Sequence, residues 1–298
     1  MRWVSLLGAI GVLGSVHGAG TPVVIWHGMG DSCCRPTSMG RIQELIENGT
    51  QPGTYVHSLM IGDNTLDDTI NTFLKPVNEQ VQEVCDYVAQ DPALADGYHA
   101  IGFSQGGQFL RAVAQRCPSP PIKNLVTLGA QHQGVYGFPR CPGESVELCN
   151  LMRELLNYGA YTDLVQDILV QAQYWHDPLH FETYVEKSQF IGEINNEGPV
   201  KNLTYAENMA KLEKFVLIKF AEDRTVEPVE SQFFEFYQPG SEYDILPLRE
   251  SPIYTEDRVG LKALDLAGKL EFLTIEGSDH MQIPTQWFMD NVVANFLQ

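Results

Sequence analysis

Positive charge is scarce in this sequence. Lys and Arg number 19 against 38 Asp and Glu, a formal net charge of −19. A nucleic-acid binder needs a basic footprint to displace counterions from phosphates, so that class is excluded. A surface held on anionic lipid is disfavoured for the same reason. Long apolar runs are scarce too. The one candidate, Trp3 to Val16, falls short of the about 20 residues a membrane span requires. CxxC spacing is missing, which argues against a metal site. No internal repeat, low-complexity tract or Pro/Gly/Ser-rich linker divides the chain.

What is present describes a folded chain. Hydrophobic residues make up 44% and charged residues 19% of the 298 positions. That length allows one large α/β domain or two ordinary ones, burying roughly three quarters of the unfolded surface. Met1-Arg2, the run Trp3 to Val16 and the small residues Gly18, Ala19 and Gly20 read as a secretory signal peptide. Cleavage near Gly18 would leave residues 19–298 as a single lumenal or extracellular domain without stable membrane insertion. Six cysteines, Cys33, Cys34, Cys85, Cys117, Cys141 and Cys149, form an even set behind that leader. Disulfides are therefore expected, with the pairing open. Cys141 and Cys149 could staple a short loop. A bond between the adjacent Cys33 and Cys34 would close a strained ring, so distant partners are the alternative. Two glycosylation sequons, at Asn48 and Asn202, fit the same route.

Short apolar runs alternate with helical patterns. Strands are expected at 22–26, 55–61, 98–103, 124–128, 214–220 and 270–275, with helices at 73–89 and 105–116. This alternation predicts an α/β fold: a mostly parallel sheet with helices on both faces. From about 137 to 213 no convincing strand occurs. Leu151, Leu155, Leu164, Ile168, Leu169, Tyr174 and Trp175 recur at roughly helical spacing there, which reads as a helical insertion on the sheet.

Between the third strand and its helix lies Ile101-Gly-Phe-Ser-Gln-Gly-Gly107, a G-x-S-x-G pattern in a strand–turn–helix setting. Gly102 and Gly106 remove Cβ atoms that would clash in a tight turn, and the turn lifts Ser104 Oγ to the helix N-terminus. A serine hydroxyl needs a base. Of eight histidines, His280 follows the last strand, the position of the base in the α/β-hydrolase order Ser…Asp/Glu…His. His27 is better placed to shape a loop, and His132 could line the site. Asp223, after strand 214–220, is the expected acid. Glu222 is the runner-up, and Asp279 is too close to His280 to reach its Nδ1. An oxyanion hole needs two backbone donors. Gln105 N supplies one, and Met29 N, in His27-Gly-Met-Gly30, the other. The chemistry is acyl transfer to Ser104 and hydrolysis of the acyl-enzyme, with neither metal nor nucleotide cofactor. Amides, esters and thioesters all suit it. The apolar insertion, Trp175 included, is either a groove for a long acyl chain or simply its own core.

These residues resemble one family closely. Thr21-Pro-Val-Val-Ile-Trp-His-Gly-Met-Gly-Asp-Ser-Cys-Cys34, Ile101-Gly-Phe-Ser-Gln-Gly-Gly-Gln108, Gln131-His-Gln-Gly-Val135, Pro139-Arg-Cys-Pro-Gly-Glu-Ser145, Tyr174-Trp-His-Asp-Pro178 and Gly277-Ser-Asp-His280 are similar to the lysosomal palmitoyl-protein thioesterases of type 1. The resemblance covers essentially all of 21–298. It implies removal of long-chain acyl groups, chiefly palmitoyl, from S-acylated cysteines of proteins during lysosomal breakdown, the enzyme arriving by the secretory pathway and being secreted in part. It implies Ser104, Asp223 and His280 as the triad, Met29 and Gln105 as oxyanion donors, and a lipid groove around Trp175. It further implies the pairings Cys33–Cys34, Cys85–Cys117 and Cys141–Cys149. The family's sequon at the acid is missing from Glu222-Asp223-Arg224, the Asn48 sequon is not one of the family's, and Ala130 replaces its usual Gly. A lipase or esterase for oxygen esters, and a binding module that has lost catalysis, are the competing classes; the intact triad argues against the last.

Overall fold

The computed structural model describes residues 20–137 and 146–298, apart from a few side chains within 146–159. The expected leader and the expected Cys141–Cys149 pairing lie outside the described residues.

Strands β1 (Val23–Trp26), β2 (Val56–Ser58), β3 (Tyr98–Phe103), β4 (Ile122–Leu128), β5 (Lys214–Phe220) and β8 (Leu270–Ile275) form one sheet in the order β2-β1-β3-β4-β5-β8. Every neighbouring pair is parallel. β1 and β3 are buried along their whole length, as a sheet covered on both faces requires. Alternate side chains supply two cores. Val24, Trp26, Ala100, Leu125 and Leu217 face one, under helices α3 (Val77–Gln90) and α4 (Gln105–Arg116). Val23, Ile25, Ile101, Val126 and Ile218 face the other, under α1 (Met39–Gly49) and the C-terminal helical segment that α13 (Thr285–Phe288) opens.

The helix expected over 73–89 begins later, as α3, and residues 73 and 74 instead close a separate helix, α2 (Thr65–Leu74). Pro76 separates them. The residue before a proline is pushed out of the α region, and Lys75 is extended at φ −98°, ψ 123°. Asn64 caps α2, its side chain accepting from the N–H groups of Leu66 and Asp67.

Between β4 and β5 the described residues hold helices and no strand: α5 (Val146–Gly159), α6 (Asp163–Ile168), α7 (Val170–Gln173), α8 (Phe181–Lys187), α9 (Ile191–Ile194) and α10 (Leu203–Met209). Val170, Tyr174, Tyr184, Phe190 and Ile194 join the same core as α3 and α4. Arg111 of α4, fully buried, donates to His132 O, Ile194 O and Asn195 Oδ1, tying the insertion to the sheet. Burial pushes its guanidinium down to about 9, more than the nearby Glu193 charge offsets. A second, smaller cluster (Met152, Leu156, Val165, Leu169, Ala172) lies within the insertion, with Met29 and Trp175 packed against it. After β5 a short antiparallel pair, β6 (Phe236–Tyr237) and β7 (Ile245–Leu246), and helices α11 (Pro252–Thr255) and α12 (Leu261–Leu266) lead to β8. The sequence pattern does not announce that pair, because two-residue strands carry no periodicity.

Candidate active site

Register aligns the site. Trp26 of β1 stands beside Gly102 of β3, so the loops that follow the two strands meet at one sheet edge. There Ser104 holds φ 53°, ψ −127°, the left-handed, strained backbone of a sharp strand-to-helix turn. A Cβ on Gly106 would lie 2.4 Å from His27 O, and one on Gly102 would lie 2.3 Å from Gly107 Cα, so neither position admits a side chain.

The three expected side chains come together. Ser104 Oγ is 2.9 Å from His280 Nε2, and His280 Nδ1 is 2.5 Å from Asp223 Oδ2. Asp223, in the turn that follows β5, has its carboxylate out of solvent. Its charge is met by N–H donors: Thr225 N at 2.8 Å and Val226 N at 3.0 Å on Oδ1, and Gln232 Nε2 at 3.0 Å on Oδ2. Gln232 escapes sequence reading. It sits on a 3₁₀ turn (Val229–Phe233), and no local pattern marks it.

The two acids considered beside Asp223 do other work. Glu222 is exposed, and its N–H donates to Ser278 O. Asp279 pairs with the Arg224 guanidinium and accepts from Arg224 N and His280 N, clasping the loop of the acid to the loop of the histidine. The Arg224 hydrogen bond, aided by the His280 N–H, holds the Asp279 carboxyl down at about 2. A lowered carboxylate pKa gives a contribution that is present above the unfolded value and lost only as the pH falls through the folded one. The clasp is therefore intact at neutral and at mildly acid pH. Asp279→Asn should lower kcat about threefold, by the same factor at about pH 5 as at about pH 7. A factor that vanishes by pH 5 would contradict this assignment.

Met29 lies in the loop after β1. Gly28 backs directly on the serine, where a Cβ would come 2.9 Å from Ser104 Cβ. Gln105 opens α4, and the first N–H groups of a helix have no intrahelical partner. His27 shapes this loop as expected, with Nε2 2.9 Å from the buried Asp68 Oδ1. His132 does not line the site: it is buried, bonded to Thr127 Oγ1 at 3.0 Å and stacked on Phe234. His176 and His180 stand four residues apart, but His176 is stacked between Tyr184 and Phe236 and bonded to Gln133 O, so its ring is held in the core.

A cleft of about 560 Å³ opens on Ser104 and His280. Its apolar wall is Met39, Ile42, Leu45, Ile283 and Phe288, and its rim carries Asp31, Arg35 and Arg41. Trp175 is not brought into this cleft. It lines a separate pocket of about 710 Å³ with Tyr136, Leu156 and Tyr161. Met29 lines the cleft and also packs against the insertion cluster on which Trp175 packs. Two disulfides stand at the positions the resemblance implied: Cys33–Cys34 beside the cleft loop, and Cys85–Cys117 joining α3 to the end of α4. Asn48 and Asn202 are both exposed, the latter capping α10.

Comparison with known proteins gives the family of the chain. Residues 22–280 match the family described as palmitoyl protein thioesterase. Palmitoyl-protein thioesterase 1 of Caenorhabditis elegans is 48% identical over 275 residues, 92% of this chain and 91% of that protein. Palmitoyl-protein thioesterase 3 of Dictyostelium discoideum is 34% identical, over 98% of this chain and 96% of that one. Among solved structures, a Streptomyces coelicolor thioesterase of prodiginine biosynthesis is 14% identical with a TM-score of 0.46, over 93% of this chain and 90% of that one. The sheet, the serine turn and these sequence matches converge: the chain belongs to the palmitoyl protein thioesterase family and is a thioesterase of the α/β-hydrolase class.

Proposed function

We propose that this thioesterase removes long-chain fatty acyl groups, chiefly palmitoyl, from S-acylated cysteines of proteins during lysosomal degradation. Ser104, His280 and Asp223 act as the triad. The observation that carries the reading is the unbroken hydrogen-bond chain from Ser104 Oγ through His280 to the buried Asp223, opening on an accessible cleft.

His280 Nε2 takes the Ser104 proton as Oγ bonds to the thioester carbonyl carbon. The carbonyl oxygen becomes an oxyanion and accepts from Met29 N and Gln105 N. Collapse breaks the C–S bond, and the cysteine sulfur leaves with the proton held by His280. Water then attacks the acyl-Ser104 carbonyl, giving its proton to His280, and the fatty acid departs as Ser104 recovers its hydrogen. Asp223 holds the ring and offsets its charge in each half.

His280 must reach the leaving sulfur, which puts the cysteine-bearing peptide on the His280 side of the cleft. The acyl chain then leaves the carbonyl on the other side, past Met29 toward the insertion and Trp175. Each buried CH₂ contributes about 0.8 kcal/mol, so a long chain supplies most of the binding energy. A second reading places the chain along Met39, Ile42 and Leu45, the apolar wall that adjoins Ser104 directly. A chain-length series separates them. The wild type should favour a palmitoyl thioester over an acetyl ester by at least about a hundredfold in kcat/KM. Trp175→Ala should erode that preference about tenfold while Ile42→Ala leaves it unchanged. The reverse pattern would favour the second reading, and equal efficiency on the acetyl ester would remove the long-chain claim. The leader and the two sequons support the secretory route to the lysosome, with partial secretion. No helix among the described residues is long and apolar enough to cross a membrane.

A further inference from the structure

Backbone donors cannot be altered by substitution, so their position depends on what supports them. Both proposed oxyanion donors are supported from one helix, α2. Thr72 is buried, and its hydroxyl proton goes to Thr69 O at 2.7 Å. That leaves the Oγ1 lone pairs for Gly30 N, which donates at 2.9 Å and follows Met29 directly. The carbonyl of the same residue accepts from Gln105 Nε2 at 3.2 Å and from Gln171 Nε2 of α7 at 2.9 Å. Tyr174 OH holds the other end of the Gln105 amide, at 3.1 Å from Oε1. One turn earlier, Asp68 is wholly buried. It accepts from Ile61 N at 2.8 Å and Cys33 N at 2.8 Å and pairs with His27, so its carboxylate grips both ends of the donor loop.

We propose that α2 sets the spacing of the oxyanion hole, with Thr72 as the positioning residue that fixes Met29 N relative to Gln105 N and Asp68 as the anchor of the loop. Neither residue touches substrate. The proposal rests on the reading of Met29 and Gln105 as oxyanion donors. A one-ångström error in such a donor can cost about a hundredfold in rate, so a shared support is worth keeping in the core although its groups are polar.

The test uses the mature chain with palmitoyl-peptide thioester as substrate. Thr72→Val replaces the hydroxyl by a methyl group of similar size and leaves Gly30 N facing it. Expected is a fall in kcat of about tenfold or more with KM within about twofold. The inhibition constant of a palmitoyl trifluoromethyl ketone, which forms an oxyanion on Ser104, should rise by the same factor, while palmitate affinity stays unchanged. Thr72→Ser, which keeps the hydroxyl, should restore kcat to within about threefold. Thr72→Ala serves as a second variant with the same expected split. Unchanged kcat and ketone affinity in Thr72→Val overturn the proposal. So does loss of the native circular dichroism spectrum in both Thr72→Val and Thr72→Ala, which would make Thr72 a support of the fold. Ser104→Ala is run alongside: if it retains turnover, the triad reading fails; if it is inactive while Thr72→Val is normal, the triad reading stands and the positioning role of α2 fails.

Discussion

Ser104→Ala should fold normally and lose turnover by a factor of about a thousand or more. The side chain is only a hydroxymethyl group against Gly28, and deleting Oγ removes its hydrogen bond with His280 Nε2. The strained turn at φ 53° is no worse for Ala than for Ser. His280 is partly exposed, so water can occupy the vacated position. Stability should therefore change by no more than about 1 kcal/mol, which thermal unfolding would show. Turnover on the palmitoyl thioester has no second route, because the attacking atom itself is gone. Residual activity above a tenth of the wild type would transfer the nucleophile elsewhere.

Asp223→Asn should cost about a thousandfold or more in kcat, with palmitate binding preserved. The argument concerns hydrogen-bond polarity. Thr225 N and Val226 N donate to Oδ1, so an Asn carbonyl would take that side. Its NH₂ would then face His280 Nδ1 and Gln232 Nε2, where Oδ2 now sits. Gln232 presents an N–H, and His280 must present one too if its Nε2 is to accept from Ser104. Three donors cannot satisfy one another. The ring turns to the tautomer with the proton on Nε2, which cannot take the serine proton. Asp223→Glu, by contrast, keeps an acceptor and should recover part of the rate. A loss in Asp223→Asn of less than about tenfold would show that another acid orients His280.

Much of the architecture was readable because the inner parallel strands are buried on both faces and run as short apolar stretches. The bounds 98–103, 105–116, 214–220 and 270–275 coincide with β3, α4, β5 and β8. The three residues of the hydrogen-bond chain were readable too, since each follows a strand that ends at the same sheet edge. α2 was not readable. Its sequence, Thr-Leu-Asp-Asp-Thr-Ile-Asn-Thr-Phe-Leu, buries Asp68, Thr69 and Thr72, with Phe73 as the one fully buried apolar residue among them, so no apolar stripe marks it. Hydropathy marks such positions as exposed, although a polar group may be buried wherever it is bonded. Gln232 was missed for the same reason. The place of Trp175 illustrates a different gap. Periodicity shows that the insertion helices have apolar faces, but not whether a given face closes on itself or opens on Ser104. Cys33–Cys34 was legible only through family resemblance, since adjacency alone argues against such a bond.

The covalent intermediate is the most direct test of the account. The mature protein and its Asp223→Asn variant are mixed with a palmitoyl-cysteine peptide, quenched in acid on the millisecond-to-second scale, digested and analysed by mass spectrometry. A palmitoyl group on the peptide that contains Ser104 is predicted, transient in the wild type, longer-lived in the variant, and not formed by Ser104→Ala. Release of palmitate at the normal rate with no acyl group on Ser104 at any time, or with the group on another residue, would contradict it.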